Sequence, residues 1–354
     1  VFGRVARRVL GSAAGAVDRA ATLAVQARNN VRRSASMAPP SGDQRASVLR
    51  DFAALYPDTL GDEFFLPVRE ISPVARVAPN DFGVAQALDL SWASDYQPFI
   101  PGMRERYERT TQNHAASVRM LRAEQKRPVA ILIHGYMAGS YHVEAKLWPV
   151  QRFLRSGYDV AFFTLPFHGV RANPERRGAP EFPGADPRFS TEGFRQIIAD
   201  LRNFIGWLGA QGHSQVGVMG MSLGGYTAAL LATVQAGLSF CVPIIPLASL
   251  ADFAREQGEL SSLPEAEAEE HALLERIYRV VSPLDRRPLI AASRTLVVAG
   301  KADRITPVGH ARKLATHFGS PMVSWHGGHL LQLGRNAAFR RVESLLRELR
   351  GKPI

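Results

Sequence analysis

The chain predicts an α/β fold: a mostly parallel central sheet with helices on both faces and a short helical insert. Three observations carry that expectation. From Val129 onward, short apolar runs alternate with longer segments whose apolar residues recur at three-and-four spacing. The short runs are apolar throughout rather than at every second position, as strands buried on both faces must be. The 354 residues are 46% hydrophobic and 21% charged, enough apolar side chain for one large core.

The organisation along the chain separates residues 1–43, a basic helical leader and linker, from a domain over 44–354. Val1 to Met37 holds Arg4, Arg7, Arg8, Arg19, Arg28, Arg32 and Arg33 against a single acid, Asp18. Apolar or small residues recur at Val5, Val9, Ala13, Val17, Ala20, Ala24, Ala27 and Val31, which is helical spacing. Three readings stand: a helix that packs on the domain or frays, a helix attracted to an acidic membrane surface with shallow insertion, and a secretory signal with a broken apolar stretch. Pro39, Pro40 and Gly42 read as a linker. Next come a strand at Ala87–Trp92 and a polar helix around Met103–Leu121.

The regular part begins with a strand at Val129–Ile133 and a helix carrying Leu147, Val150 and Leu154. A strand at Asp159–Leu165 leads into a Pro/Gly/Arg-rich loop, whose segment Ala179–Phe189 is a lid candidate. The next helix aligns Phe194, Ile197, Ile198, Leu201, Ile205 and Leu208. A strand at Gln215–Met221, a helix at Leu223–Val234 and a strand at Phe240–Ile245 follow. Residues 247–290 form a mostly helical cap candidate, with Glu265, Glu267, Glu269 and Glu270 read as a solvated face rather than a metal site. Thr295–Val298 and Pro321–Trp325 are strands; Val308–Phe318 and Ala338–Leu349 are helices.

Charge and cysteine narrow the function classes. The net charge is +11, yet the arginines are scattered and lack the clustering with aromatics that nucleic-acid grooves show, so no nucleic-acid partner is expected. Cys241, the single cysteine, sits in the apolar run Phe240–Ile245; it cannot form an intrachain disulfide and suits a reducing, cytoplasmic compartment. That apolar setting argues against a reactive thiolate. No apolar run is long enough to span a bilayer as a helix.

The chemistry is carried by Gly220-Met221-Ser222-Leu223-Gly224-Gly225, between an apolar strand and an apolar helix. A serine on such a sharp turn needs small neighbours and presents its hydroxyl at a helix N-terminus, where backbone N–H groups stabilise an oxyanion. His134-Gly135-Tyr136-Met137 ends the Val129 strand, where a second oxyanion donor belongs. The donors are then the N–H groups of Leu223 and Tyr136, with Met137 as the alternative to Tyr136, while His134 reads as a scaffold hydrogen-bonder. A hydroxyl needs a histidine to take its proton, and the histidine needs an acid to orient it. Asp303 lies in the loop after the Thr295 strand, and His326 and His329 follow the Pro321 strand. His329, beyond Gly327 and Gly328, is favoured because those glycines let the loop swing towards the serine. His168 and Arg171 are read either as pocket or headgroup contacts or as ordinary loop residues.

These motifs, in this order from Val129 onward, resemble the α/β-hydrolase superfamily. The run Leu165-Pro166-Phe167-His168-Gly169-Val170-Arg171 is similar to an esterase/lipase-like branch of α/β-hydrolase domain-containing proteins. The resemblance implies a triad of Ser222, Asp303 and His329 without cofactor or metal. Dehalogenases and epoxide hydrolases of the superfamily carry aspartate at the nucleophile position, so Ser222 argues against both. The expected activity is cleavage of a small-molecule or lipid carboxylic ester through an acyl-enzyme, in a cytoplasmic protein with membrane association as an open alternative. Two other functions stay open: a peptidase or acyltransferase using the same triad, and a non-catalytic binding protein that kept the fold.

Overall fold

The computed structural model describes residues 12–20, 42–59 and 61–352. Its strands are β1 (Val74–Val77), β2 (Gln86–Ala93), β3 (Ala115–Arg122), β4 (Val129–Ile133), β5 (Asp159–Phe163), β6 (Val216–Met221), β7 (Cys241–Ile244), β8 (Val297–Gly300) and β9 (Met322–Trp325). They form one sheet in the order β1-β2-β3-β5-β4-β6-β7-β8-β9. β1, β2 and β3 pair antiparallel, as do β3 and β5; the rest, from β5 through β4 to β9, is parallel.

Every residue of β4, β5 and β6 is buried, because helices cover both faces. The period-two pleat sorts their side chains into two cores. On one face Ile131, Ile133 and Val218 pack with Phe194 and Ile198 of a long helix, α5 (Pro187–Ala210), and with Leu230 of α6 (Leu223–Val234). On the other, Ala130, Leu132 and Met219 join Phe153 of α4 (Val150–Arg155) and Phe339 and Leu346 of α10 (Arg335–Leu349). α5 starts where the sequence provides a cap: the Asp186 carboxylate accepts the Arg188 N–H, and Pro187 occupies the first turn.

Topology places the site. The chain passes from β4 outward to β5 and then reverses to β6 on the other side of β4, which opens a crevice at the carboxyl ends of the strands. Ile133 of β4 is in register with Gly220 of β6, so the loops following them are neighbours.

Several local expectations are corrected. Residues 115–121 are not helical; they belong to β3, where Ala116, Val118 and Met120 are buried in alternation. Arg119, on the opposite side, makes a two-pronged bond to Asp89 directly across in β2, at 2.7 and 2.8 Å. Only a short helix, α2 (Arg104–Glu108), forms upstream. β1 went unforeseen because all four residues are exposed, leaving no hydrophobic alternation to read. The expected helix through Leu147 and Leu154 is two, α3 (Tyr141–Leu147) and α4, interrupted at Trp148-Pro149.

The insert holds α7 (Leu250–Glu256) and α8 (Pro264–Tyr278), and α8 packs on α5, α7 and α1 (Gly42–Ala53). Its acidic run is not a free solvated face. Glu270 is buried, accepts the Ser261 N–H at 3.0 Å and lies 3.6 Å from Arg45, while Glu269 pairs with Arg50 and Glu267 with Arg255. α9 (Val308–His317) completes the helices between β8 and β9.

Residues 12–20 are helical, and the remainder of the leader lies outside the described residues. Ala14, Gly15 and Asp18 are buried, whereas Ala13 and Val17 of the anticipated apolar stripe are exposed. The helix therefore docks through the face that carries its one acid. Among the described residues, no helix is long and apolar enough to cross a membrane.

The lid candidate is tethered by its aromatic residues. Phe182 and Phe189 are fully buried, and the Phe182 ring lies 5.0 Å from that of Phe194. A side chain at Gly193 would collide with the Phe182 ring. Phe182→Ala should then lower unfolding free energy by about 3–5 kcal/mol in urea titrations, the cost of truncating a buried aromatic. A change near zero would return this segment to the status of a loose lid.

Candidate active site

β6 ends in a turn that holds Ser222 at φ 56 and ψ −114, and α6 begins at the next residue. A β-carbon at Gly220 would overlap the Gly224 carbonyl, and one at Gly224 would overlap the carbonyl of Ile133. Glycine at both positions is what permits the turn and its close approach to β4. The Ser222 N–H donates to the Ile244 carbonyl at 2.9 Å, and the Ser222 carbonyl accepts the Tyr226 N–H at 3.0 Å. Ser222 is 9% exposed, at the positive end of α6.

The loop after β4 abuts this turn. A β-carbon built on Gly135 would stand 3.4 Å from the Ser222 Cβ. His134 fixes the loop from beneath: its Nδ1–H donates to the Gly135 carbonyl at 2.8 Å, and its Nε2 accepts the Leu165 N–H at 3.0 Å. Burial pushes its pKa down to about 3, so it stays neutral and serves as scaffold. Glu144 accepts the Gly139 N–H and the Trp148 indole N–H at 3.1 and 3.0 Å, pinning the far side of the loop. Between these anchors the turn carries Tyr136 and Met137 outward, 40% and 59% exposed, with Met137 at φ 61.

Asp303 and His329 come together from the ends of β8 and β9. The Asp303 Oδ2 lies 2.8 Å from the His329 Nδ1. Its Oδ1 accepts the N–H groups of Ile305 and Thr306 at 2.9 and 2.8 Å, which fixes the carboxylate plane. With the Nδ1 proton directed at Asp303, the lone pair of His329 sits on Nε2, the tautomer a general base needs. His326 is exposed on the strand end and makes no bond to Asp303.

A residue that sequence reasoning missed, Thr306, lies between the Asp303–His329 pair and the end of the strand that holds Ser222. Its hydroxyl lies 3.0 Å from the Ile245 carbonyl, from Asp303 Oδ2 and from His329 Nδ1. Ile244, one residue earlier, holds the Ser222 N–H. Hydrogen bonds, joined by the covalent step from Ile245 to Ile244, thus connect His329 and Asp303 to the backbone of Ser222. The Ser222 hydroxyl itself makes no hydrogen bond among the described residues.

Also missed was Asp18, whose side chain is fully buried against the histidine loop. Its Oδ2 accepts the N–H of His329 at 2.7 Å and of Arg304 at 3.2 Å, and its Oδ1 accepts the Leu330 N–H at 3.0 Å. The only hint in the sequence is that it is the lone acid among seven arginines.

Arg171 is neither a surface arginine nor a headgroup contact. It is buried, pairs with Asp200 at 2.9 Å and donates to the carbonyls of Thr164 and Asn113. His168 is buried beside it; its Nδ1–H donates to the Pro166 carbonyl at 2.8 Å, and burial pushes its pKa down to about 4. A cavity of about 310 Å³ opens next to the Gly135–Ala138 turn, lined by Met137, Ser140, Val143, Phe167, His168 and Arg176. Cys241 is buried with its thiol pKa pushed up by burial, an inert side chain. Asp252, His271 and Glu275 cluster elsewhere with ligand-type spacing, but the Lys313 ammonium already neutralises Asp252.

The sheet order, the strained serine turn and the loops after β8 and β9 define a hydrolase-type scaffold. The chain belongs to the α/β-hydrolase family, whose pattern it matches over residues 130–342, more than half its length. It is 31% identical over 240 residues to an uncharacterised protein of Mycobacterium tuberculosis, found in strains H37Rv and CDC 1551. The match covers 66% of this chain and 56% of that protein, so the chain spans about half the length of the curated relatives it matches. In structure it is similar to acetyl xylan esterase 1 from a Thermoanaerobacterium species, with a TM-score of 0.54 and 16% identity over 88% of this chain and 94% of that one. An acetyl xylan esterase from a Paenibacillus species gives 0.51, at 16% identity over 87% and 95%. At such identity the likeness is one of fold.

The two buried histidines set an acid limit on stability. Both have folded pKa values below the ordinary 6.5, so from pH 6.5 down to about 4 the unfolded chain binds more protons and stability falls as pH falls. At pH 5 each should cost about 2 kcal/mol relative to pH 7. Replacing one of them, His168→Asn, should flatten the slope of unfolding free energy against pH by about 1.2 kcal/mol per unit between pH 5 and 6. An unchanged slope would assign the acid sensitivity to other groups.

Proposed function

We propose that the protein is a serine hydrolase that cleaves a carboxylic ester through an acyl-enzyme intermediate. The observation that carries this reading is the Asp303–His329 pair, on the same sheet end as a positive-φ serine at a helix N-terminus. Ser222 Oγ attacks the ester carbonyl while His329 Nε2 takes its proton. The oxyanion is held by the N–H groups of Leu223 and Tyr136, the first from the start of α6 and the second from the turn beside Gly135. His329 then protonates the departing alkoxide, and water, activated by the same nitrogen, releases the acid. Asp303 keeps His329 in the required tautomer and offsets its positive charge. No cofactor or metal is needed for any step. The substrate is a small-molecule or lipid ester, and the cavity beside Met137 is a candidate space for its acyl or alcohol part.

A fluorophosphonate probe followed by an ester chain-length series tests the reading. Ser222→Ala should abolish labelling and reduce turnover by at least about a thousandfold. His329→Ala should match it, whereas His326→Ala should retain most activity. Labelling that survives in Ser222→Ala would move the chemistry elsewhere. Amide cleavage or transfer to an added alcohol by the same serine would favour the peptidase or acyltransferase alternative, and no labelling of the native chain would favour the binding protein.

A further inference from the structure

We propose that Asp18 is a positioning residue for His329, and that the buried face of the helix at residues 12–20 therefore supports the hydrolytic site. The inference rests on the triad reading above.

A fully buried carboxylate is costly unless its oxygens are satisfied. Asp18 meets this by accepting three backbone N–H groups, and their identity is informative. One belongs to His329 itself and one to Leu330, the residue after it. The third belongs to Arg304, the residue after Asp303. One carboxylate thus grips both the loop that carries the base and the loop that carries its acid, from a position 311 residues before His329.

The packing is built for this contact. A β-carbon at Gly328 would collide with the Asp18 carboxylate and would stand 3.2 Å from the Ala14 carbonyl. One at Gly15 would stand 3.2 Å from the carbonyl of Ala302 in the acid loop. Ala14, Gly15 and Asp18 line one face of the helix, and small residues there bring the helix backbone close to both loops.

Gly327 and Gly328 are tied by their own N–H and carbonyl groups to Leu333, Leu331, Ala302 and Trp325, so the loop is already held up to the residue before the histidine. The next two N–H groups, of His329 and Leu330, go to Asp18, and the Nδ1 bond to Asp303 fixes the ring alone. Anchoring the backbone at His329 itself holds Nε2 where the Ser222 proton must be taken. Loss of the anchor therefore affects the proton-transfer steps rather than substrate binding.

The test uses the full chain with p-nitrophenyl acetate as substrate, and compares Asp18→Ala, Asp18→Asn and Val17→Ala, the last on the exposed face of the same helix. Circular dichroism at the assay temperature gives the folded fraction, and hydrogen–deuterium exchange reads the peptide spanning residues 327–331. Asp18→Ala should lower kcat by about 10–100-fold with KM within about threefold, since a displacement near 1 Å has such an effect. Exchange at His329 and Leu330 should rise, Asp18→Asn should recover part of the loss through its amide oxygen, and Val17→Ala should track the native chain. The proposal is overturned by native kcat in Asp18→Ala, by unchanged exchange, by an effect on KM alone, or by a fall in kcat no larger than the fall in folded fraction. A native chain without Ser222-dependent labelling or turnover defeats the hydrolase reading itself, and with it the positioning role. A rise in exchange would then mark a structural clamp.

Discussion

The backbone of Ser222, at φ 56, occupies a region that L residues other than glycine enter at a cost, and the surrounding structure over-determines it. Gly220 and Gly224 leave the space, the Ile244 carbonyl holds the Ser222 N–H, and α6 starts without a linker. The rest of the crevice is organised around that turn. β4 approaches closely enough for Gly135 to face Ser222 only because Gly224 has no side chain. The last residue of β7 supplies the carbonyl that pins the serine, and Ile245, just past the strand, supplies the carbonyl that receives Thr306. The strain of one residue is thus supported by four parallel strands, β4, β6, β7 and β8.

The layers around it follow from burial. Strands covered on both faces are almost wholly apolar, so the polar groups of the crevice sit in the loops beyond their carboxyl ends. Histidines in those loops are sorted by their neighbours. His134 and His168 are sealed under aromatic and backbone contacts and remain neutral braces. His329 keeps an edge open to the crevice and faces a carboxylate. The same side chain is a sealed neutral brace in one setting and the partner of a carboxylate in another.

Much of this was readable from sequence, and what was missed has a physical pattern. Helices and strands with a one-sided or fully apolar pattern were found, and α6 has the boundaries its apolar run implied. β1 and β3 were not, since one is wholly exposed and the other carries Ser117 and Arg119 on its open face and an arginine at its end. The pairing of Asp303 with His329 was accessible because chain order and loop position constrain it. Thr306 and Asp18 were hidden because they act through backbone N–H and carbonyl groups, which leave no mark in residue type. Arg171 misled for the converse reason: its loop lies on the site side of the sheet, but its side chain turns inward to Asp200.

The contact between Asp18 and the loop of His329 joins sequence positions 311 apart. On a ribosome adding roughly 5–20 residues per second, the helix waits roughly 15–60 s for the loop it will hold. During that interval the sheet from β1 to β8 can already be forming, while the crevice still lacks both the histidine and its anchor. The nascent chain therefore carries the serine turn well before it carries His329. The order of synthesis thus places assembly of the crevice after the strands from β1 to β8 have emerged.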